Sequence, residues 1–275
     1  MRTVVAEIWD YIPPIAADAA TQMAIDAELA DICNRPGRRA FLRFYSMSPP
    51  AVTIGRNQQW RTVVDPDRCR QNGWDWVRRP TGGGALLHHR ELNYAVAASH
   101  EMFAFLSGDA RSSVFQRVAG GLMAGLVRVG FRPTLNTVRK NRAVGRPTSA
   151  HGLCGAALTR LEISIDGLKA VAAAQWNLSG ASLQHGAIYL QAPGADDRFW
   201  PDCADLASAR QEWWACHDRL PFPHDPRSAL ANALMAGLAE ELNLVWHPNS
   251  HDWVRSSEIV ARKEQWLTGR WHEKR

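Results

Sequence analysis

Arg78-Arg79-Pro80-Thr81-Gly82-Gly83-Gly84-Ala85-Leu86-Leu87-His88 is the stretch on which the reading of this chain turns. It follows an extended apolar segment holding Trp74, Trp76 and Val77. Three successive glycines lack a Cβ and tolerate positive φ, so the backbone there can approach a ligand or another backbone closely. A triple glycine is by itself an ordinary turn, and its meaning rests on what surrounds it.

On either side of the turn, Trp74 to Arg78 and Leu92 to Ala97 read as strands, which puts the turn at a sheet end. Upstream, Ala19, Met23, Ala27 and Ile32 recur at helical spacing and predict a first helix over about Ala16 to Ile32, preceded by Pro13-Pro14. Phe41 to Tyr45 and Val52 to Ile54 are expected as paired strands across Pro49-Pro50, which cannot continue a ladder. Downstream, Phe115, Val118, Leu122, Leu126 and Val129 mark a second helix over Val114 to Val129 that packs on the sheet. Pro133 to Gly152 is polar and basic and reads as a loop. Leu161 to Ile165, Lys169 to Gln175 and Leu183 to Leu190 form an expected meander, with Asp166-Gly167 as a tight hairpin turn. From about Ala204 the pattern turns helical, notably over Arg227 to Leu242.

The 275 residues suit one domain with additions, 1–275, with 204–275 as a helical C-terminal extension. Hydrophobic residues make up 46% and charged ones 21%, the balance of a folded globular chain and not of a disordered or repeat protein. Apolar runs break before the roughly 18 residues a membrane span requires, and Glu7 comes too early for a secretory signal, so the expected location is the cytoplasm. Cys33, Cys69, Cys154, Cys203 and Cys216 are odd in number and widely spaced, which fits reduced thiols better than a disulfide framework or a zinc site. The net charge of +5 owes much to Arg139, Lys140, Arg142 and Arg146. That excess does not call for nucleic acid; it reads either as a solvated loop or as a surface that steers an acidic partner protein.

A cysteine thiolate accepts an acyl group readily and passes it on to an amine, provided a nearby cation stabilises it. Cys154 follows the basic loop and precedes Lys169 in the meander, with His88 as a further candidate neighbour. The other four cysteines have no comparable surroundings and read as packing or surface groups. Lys169 opens the run Lys169-Ala170-Val171-Ala172-Ala173-Ala174-Gln175. Turned inward, its ammonium would meet the negative charge that develops on a carbonyl oxygen under attack; turned outward, it is a solvated strand edge. His88 and His185 carry the same ambiguity. His88 and His89, adjacent on a strand, point to opposite faces and make a poor pair of metal ligands.

Taken in order, Arg79-Pro80-Thr81-Gly82-Gly83-Gly84-Ala85, His88, Gly167-Leu168-Lys169, Ala174-Gln175 and Leu183-Gln184-His185-Gly186 resemble the lipoate/biotin protein ligase superfamily, and most closely its single-domain, cysteine-dependent octanoyltransferases. Cys154, Glu162 and Lys169 fall in the matching order, and the likeness runs from about Ala16 to about Leu190. The resemblance implies an α/β (α+β) fold with a mixed central β-sheet flanked by helices. It implies an octanoyltransferase of lipoate biosynthesis, with Cys154 as nucleophile and Lys169 holding the acyl carbonyl. Arg79, Thr81, Gly82, Gly83, Gly84, Ala85 and His88 would shape the substrate pocket, with Gln184, His185 and Gly186 below it. No cofactor and no metal would be needed. The implied partners are octanoyl-acyl carrier protein as donor and a lipoyl-domain protein as acceptor, such as the glycine cleavage H protein or a 2-oxoacid dehydrogenase E2, without nucleic acid or membrane. Three departures from the family pattern stand out: Ala172-Ala173 replaces a glycine-serine pair, Gly84 is more like the ATP-dependent lipoate ligases, and Gly155-Ala156-Ala157 follows the cysteine. An ATP-dependent lipoate-protein ligase and a non-catalytic acyl-binding homologue therefore stand as alternatives.

Overall fold

The computed structural model describes residues 6–103, 110–136, 162–190, 226–250 and 256–267. In chain order its elements are β1 (Glu7–Ala17), α1 (Ala19–Asn34), β2 (Ala40–Met47), β3 (Ala51–Ile54), α2 (Pro66–Gln71), β4 (Asp75–Arg78), β5 (Leu86–His88), β6 (Glu91–Ser99), α3 (Ala110–Arg128), β7 (Thr134–Leu135), β8 (Ile163–Ile165), β9 (Leu168–Asn177), β10 (Ala181–Tyr189), α4 (Pro226–Leu242), β11 (Leu244–Pro248) and α5 (Ser257–Leu267). Eight strands form a mixed sheet in the order β11-β1-β2-β6-β10-β9-β8-β7, and β4-β3-β5 form a small second sheet. Strand β1 runs parallel to both β11 and β2, whereas the rest of the large sheet is antiparallel. This is the mixed sheet with flanking helices expected from the sequence.

Pro13 and Pro14 do not lead into the helix; they lie inside β1, where the register with β2 shifts between Ile12 and Ile15. A bulge of this kind accommodates residues that have no N–H to give to a ladder. Helix α1 begins three residues later than the spacing predicts because Asp18 caps it, accepting from the Thr21 N–H at 2.9 Å. Strands β2 and β3 do not pair. Both edges of β2 are taken, by β1 and β6, so β3 joins β4 and β5 instead. The meander β8-β9-β10 forms as expected, and Asp166 (φ 53°) and Gly167 (φ 79°) both adopt the left-handed conformation that a two-residue hairpin turn demands. Strand β11 was not foreseen: Asn243 (φ 49°) stops α4, and the chain enters the sheet at once beside β1.

Each face of the large sheet has its own core. On one face α3 and α4 bring Val118, Leu122, Leu126, Leu234 and Leu238 against Leu42, Phe44, Tyr94, Val96 and Ile188. Their backbones lie close, since a Cβ on Gly237 would sit 2.2 Å from the Gly125 nitrogen. On the other face α1 covers Phe41, Tyr45, Ala95, Ala97 and Leu183. Beside α1, the small sheet packs Val52, Ile54, Leu86 and Leu87 onto Ala172, Ala187 and Tyr189 of β9 and β10. The seam between α1 and the small sheet is where the candidate site forms.

Candidate active site

At that seam lies a cleft with about 330 Å³ of empty volume, part of it open to solvent. Its walls are Met23 from α1, Tyr45 from β2, Thr53 from β3, Arg79 at the head of the glycine turn, Leu86 and His88 from β5, Ala172 to Ala174 from β9, and His185 and Gly186 from β10. Pockets that bind small molecules are mainly apolar with a few fixed polar groups, and this lining has that character. Gly186 is there for a steric reason: a Cβ would stand 2.3 Å from the Ala172 oxygen and 2.9 Å from the Tyr94 ring.

The polar part of the wall is one buried network. Asp26, in the middle of α1, pairs with Arg43 (Oδ1 to Nη2, 2.6 Å) and accepts from His185 Nδ1 at 2.7 Å. Burial by itself raises the Asp26 carboxyl, but Arg43 and then His185 outweigh it and hold the group below the usual carboxylate range. Burial also pushes His185 down, more than Asp26 lifts it. The pair is therefore an ionised aspartate and a neutral imidazole. An ionised carboxylate only accepts, so His185 carries its proton on Nδ1, and Nε2 accepts from the Thr81 hydroxyl at 2.6 Å.

Arg79 organises the glycine turn. Its five N–H donors meet five acceptors: Thr81 Oγ1 (3.1 Å), the Thr53 oxygen and hydroxyl (3.2 and 3.3 Å), and the carbonyls of Gly82 and Gly84 (2.6 Å each). Arg78 fixes the facing loop by donating to the carbonyls of Gly55, Arg56 and Gln58. His88 links to Thr53 Oγ1 through Nε2 (2.9 Å), while its Nδ1 lies 3.2 Å from Glu91 and 3.0 Å from Asn93. Lys169 is buried on β9 and pairs with Glu162 at 2.5 Å.

Of the residues selected from the sequence, Arg79, His88, His185 and Gly186 line the cleft. Thr81, Gly82, Gly83, Gly84 and Ala85 form the turn around Arg79 without lining it, and Lys169 lies further along β9. Gln184 does not lie below the pocket: alternation along β10 sends it to the opposite face, where it donates to the Tyr94 hydroxyl at 3.2 Å. Cys154, Cys203, Cys216 and the basic residues Arg139 to Arg146 fall outside the described residues. Cys33 is buried and its thiol is pushed up to about 12, chiefly by burial, while Cys69 rises to about 11 for the same reason, so neither is a thiolate at neutral pH. Among the described residues no group of three or more His, Cys, Asp or Glu is placed to hold a metal, and no helix is long and apolar enough to cross a membrane.

Met23, Asp26, Arg43 and Thr53 also belong to the site, and no motif marks them for it. The one signal available for Asp26 was an acid set directly among Met23, Ala24, Ile25 and Ala27, in a helix whose other acids are Glu28 and Asp31. Nothing in the sequence brings Arg43 or Thr53 next to it.

A family model for the lipoyl protein ligase A/B catalytic domain matches residues 18–196. Octanoyltransferase LipM of Symbiobacterium thermophilum is 35% identical over 168 residues, which span 61% of this chain and 60% of that protein. Octanoyltransferase LipM of Staphylococcus epidermidis is 28% identical over 281 residues, spanning 95% of this chain and 98% of that protein. Among solved structures, a bi-partite lipoate protein ligase of Thermoplasma acidophilum, described together with its E2 lipoyl domain, has the same fold, with a TM-score of 0.70, 19% identity, and coverage of 97% of this chain and 96% of that one.

Proposed function

This chain belongs to the family of lipoyl protein ligase A/B catalytic domains, and from that premise we propose that it is an octanoyltransferase of lipoate biosynthesis. The octanoyl group arrives as a thioester of acyl carrier protein and leaves as an amide on a lysine of a lipoyl domain, such as that of the glycine cleavage H protein or a 2-oxoacid dehydrogenase E2, in the cytoplasm. The observation that carries the reading is the cleft itself. Met23, Leu86, Ala172 to Ala174 and Gly186 give it an apolar surface suited to an alkyl chain, beside a hydrogen-bonded polar wall. Its relatives named octanoyltransferases support the same reading. The chain acts as one catalytic domain, with 204–275 as an extension that supplies α4, β11 and α5.

The proposed chemistry has two half-reactions. Cys154 as thiolate attacks the thioester carbonyl, a new carbon–sulfur bond forms, and the carrier thiol leaves and takes up a proton. The acceptor amine then attacks the acyl-cysteine, loses a proton as the amide forms, and frees the Cys154 thiolate. In each step negative charge collects on the carbonyl oxygen. Lys169, paired with Glu162, is the assigned donor to that oxygen.

The test mixes the protein with octanoyl-acyl carrier protein without ATP, follows intact mass, and then adds a lipoyl domain. An octanoyl adduct mapped to Cys154 that moves to the domain, and is absent from Cys154→Ala, supports the proposal. Transfer that requires ATP assigns the ligase reaction instead, and bound octanoate without any transfer assigns a non-catalytic binder.

A further inference from the structure

Two histidines reach Arg79 by the same route. Behind each stands a carboxylate and in front a threonine hydroxyl: Asp26–His185–Thr81 on one side, Glu91–His88–Thr53 on the other. Arg79 bonds to both hydroxyls. A carboxylate, an imidazole and a hydroxyl in series form the arrangement that activates a hydroxyl nucleophile. Here the hydroxyl has another task. Thr81 is 1% exposed and does not line the cleft, and its oxygen is held by His185 and Arg79 together. An oxygen so enclosed tethers the groups around it.

We infer that Asp26 and His185 are positioning residues, which act through Thr81 and Arg79 to fix the conformation of the glycine turn for acyl transfer. Arg79 takes the carbonyls of Gly82 and Gly84. In a trans peptide the C=O and the following N–H point in opposite directions, so the N–H groups of Gly83 and Ala85 face away from Arg79. The relay thereby sets the direction of two amide donors beside the cleft. It starts in α1, crosses β10 and ends in the turn, so three segments distant in sequence share one hydrogen-bond chain. A neutral His185 with its proton on Nδ1 satisfies every member: Thr81 donates to Nε2 and accepts from Arg79. The inference rests on the transferase reading for its kinetic consequences and on geometry alone for its structural ones.

Thr81→Val, Thr81→Ser, His185→Gln and the Thr81→Val/His185→Gln double variant separate the possibilities. Asp26→Asn is a poor probe, because Asp26 also holds the buried Arg43 and its loss endangers folding. With fold checked by circular dichroism and melting, Thr81→Val and His185→Gln are each expected to lower kcat about 10- to 100-fold while KM for the lipoyl domain stays within about twofold. The double variant should be no worse than the weaker single, as for members of one network, and Thr81→Ser should stay within about threefold of wild type. Folded single variants within twofold of wild type, or a double effect equal to the product of the singles, overturn the inference. Amide hydrogen exchange at Gly83 to Ala85 supplies a readout that needs no turnover. Exchange faster by about tenfold in Thr81→Val supports the tether, and unchanged exchange overturns it even if wild type shows no transfer, a result that would refute the functional reading separately.

Discussion

Gly55→Ala is the sharpest test of how the cleft is built. Gly55 directly follows β3 and faces the glycine turn, where an added Cβ would stand 1.9 Å from the Gly83 carbonyl oxygen and 3.0 Å from its carbon. Ordinary contact begins at 3.4 Å, so the methyl falls about 1.5 Å short of the room it needs. Gly55 cannot withdraw easily, because Arg78 holds its carbonyl at 2.9 Å and the Gln58 side chain accepts from its N–H at 2.8 Å. The displacement therefore passes to Gly83, and from there to the Gly82 and Gly84 carbonyls on Arg79. Overpacking against backbone costs about 1–3 kcal/mol, which for a chain of this size lowers Tm by about 2–5 °C. A shift of the order of 1 Å at a reacting centre costs about 100-fold in rate, so octanoyl transfer should fall by far more than the loss of folded protein. Gly82→Ala is the matched control, since a Cβ there meets nothing within 4 Å and no positive φ is involved; it should melt and turn over within about twofold of wild type. The assay pairs a thermal melt with initial rates of transfer. Gly55→Ala with wild-type rate, or Gly82→Ala as damaged as Gly55→Ala, would show that the turn is not sterically locked by β3.

Lys169→Ala removes the cation from the buried Glu162 carboxylate; chemical denaturation should show a loss of about 3–5 kcal/mol at neutral pH, and a loss below 1 kcal/mol would mean the pair contributes little. The pH dependence of stability follows from His185, whose folded pKa lies below the unfolded 6.5. The unfolded chain binds that proton first as pH falls, so this contribution is complete above about 6.5 and is lost as pH drops through the folded value. Denaturation midpoints measured from pH 7.5 down to 5 should fall for wild type and flatten in His185→Gln, whereas parallel curves would remove His185 as the cause. Gly237→Ala places a Cβ 2.2 Å from the Gly125 nitrogen and 2.4 Å from the Gly121 oxygen. It should cost about 1–3 kcal/mol yet leave kcat per folded molecule unchanged, because the α3–α4 contact lies on the face away from the cleft; a fall in kcat without loss of stability would contradict that separation.

The sequence by itself determined the local elements that period and turn chemistry specify. The meander around Asp166-Gly167 needs only two residues that accept positive φ, the helix at Val114 to Val129 needs only its apolar spacing, and the ordered motifs from Arg79 to Gly186 carried the family. What the tertiary structure decided is which elements are neighbours. Both edges of β2 were already occupied, and that sent β3 into a second sheet, a fact about strand order that no local pattern encodes. Strands β1 and β11 were missed because proline at a bulge and a strand entered directly from a helix violate the usual punctuation, and their pairing spans most of the chain. The site divides in the same way. Arg79, His88, His185 and Gly186 were legible as residue types in a motif, whereas Asp26, 159 residues from His185 along the chain, became its partner only when α1 packed across β10. Side-chain direction on a strand alternates with every residue, and it was the sheet's choice of which face to bury beside α1 that brought His185 into the cleft and turned Gln184 away from it.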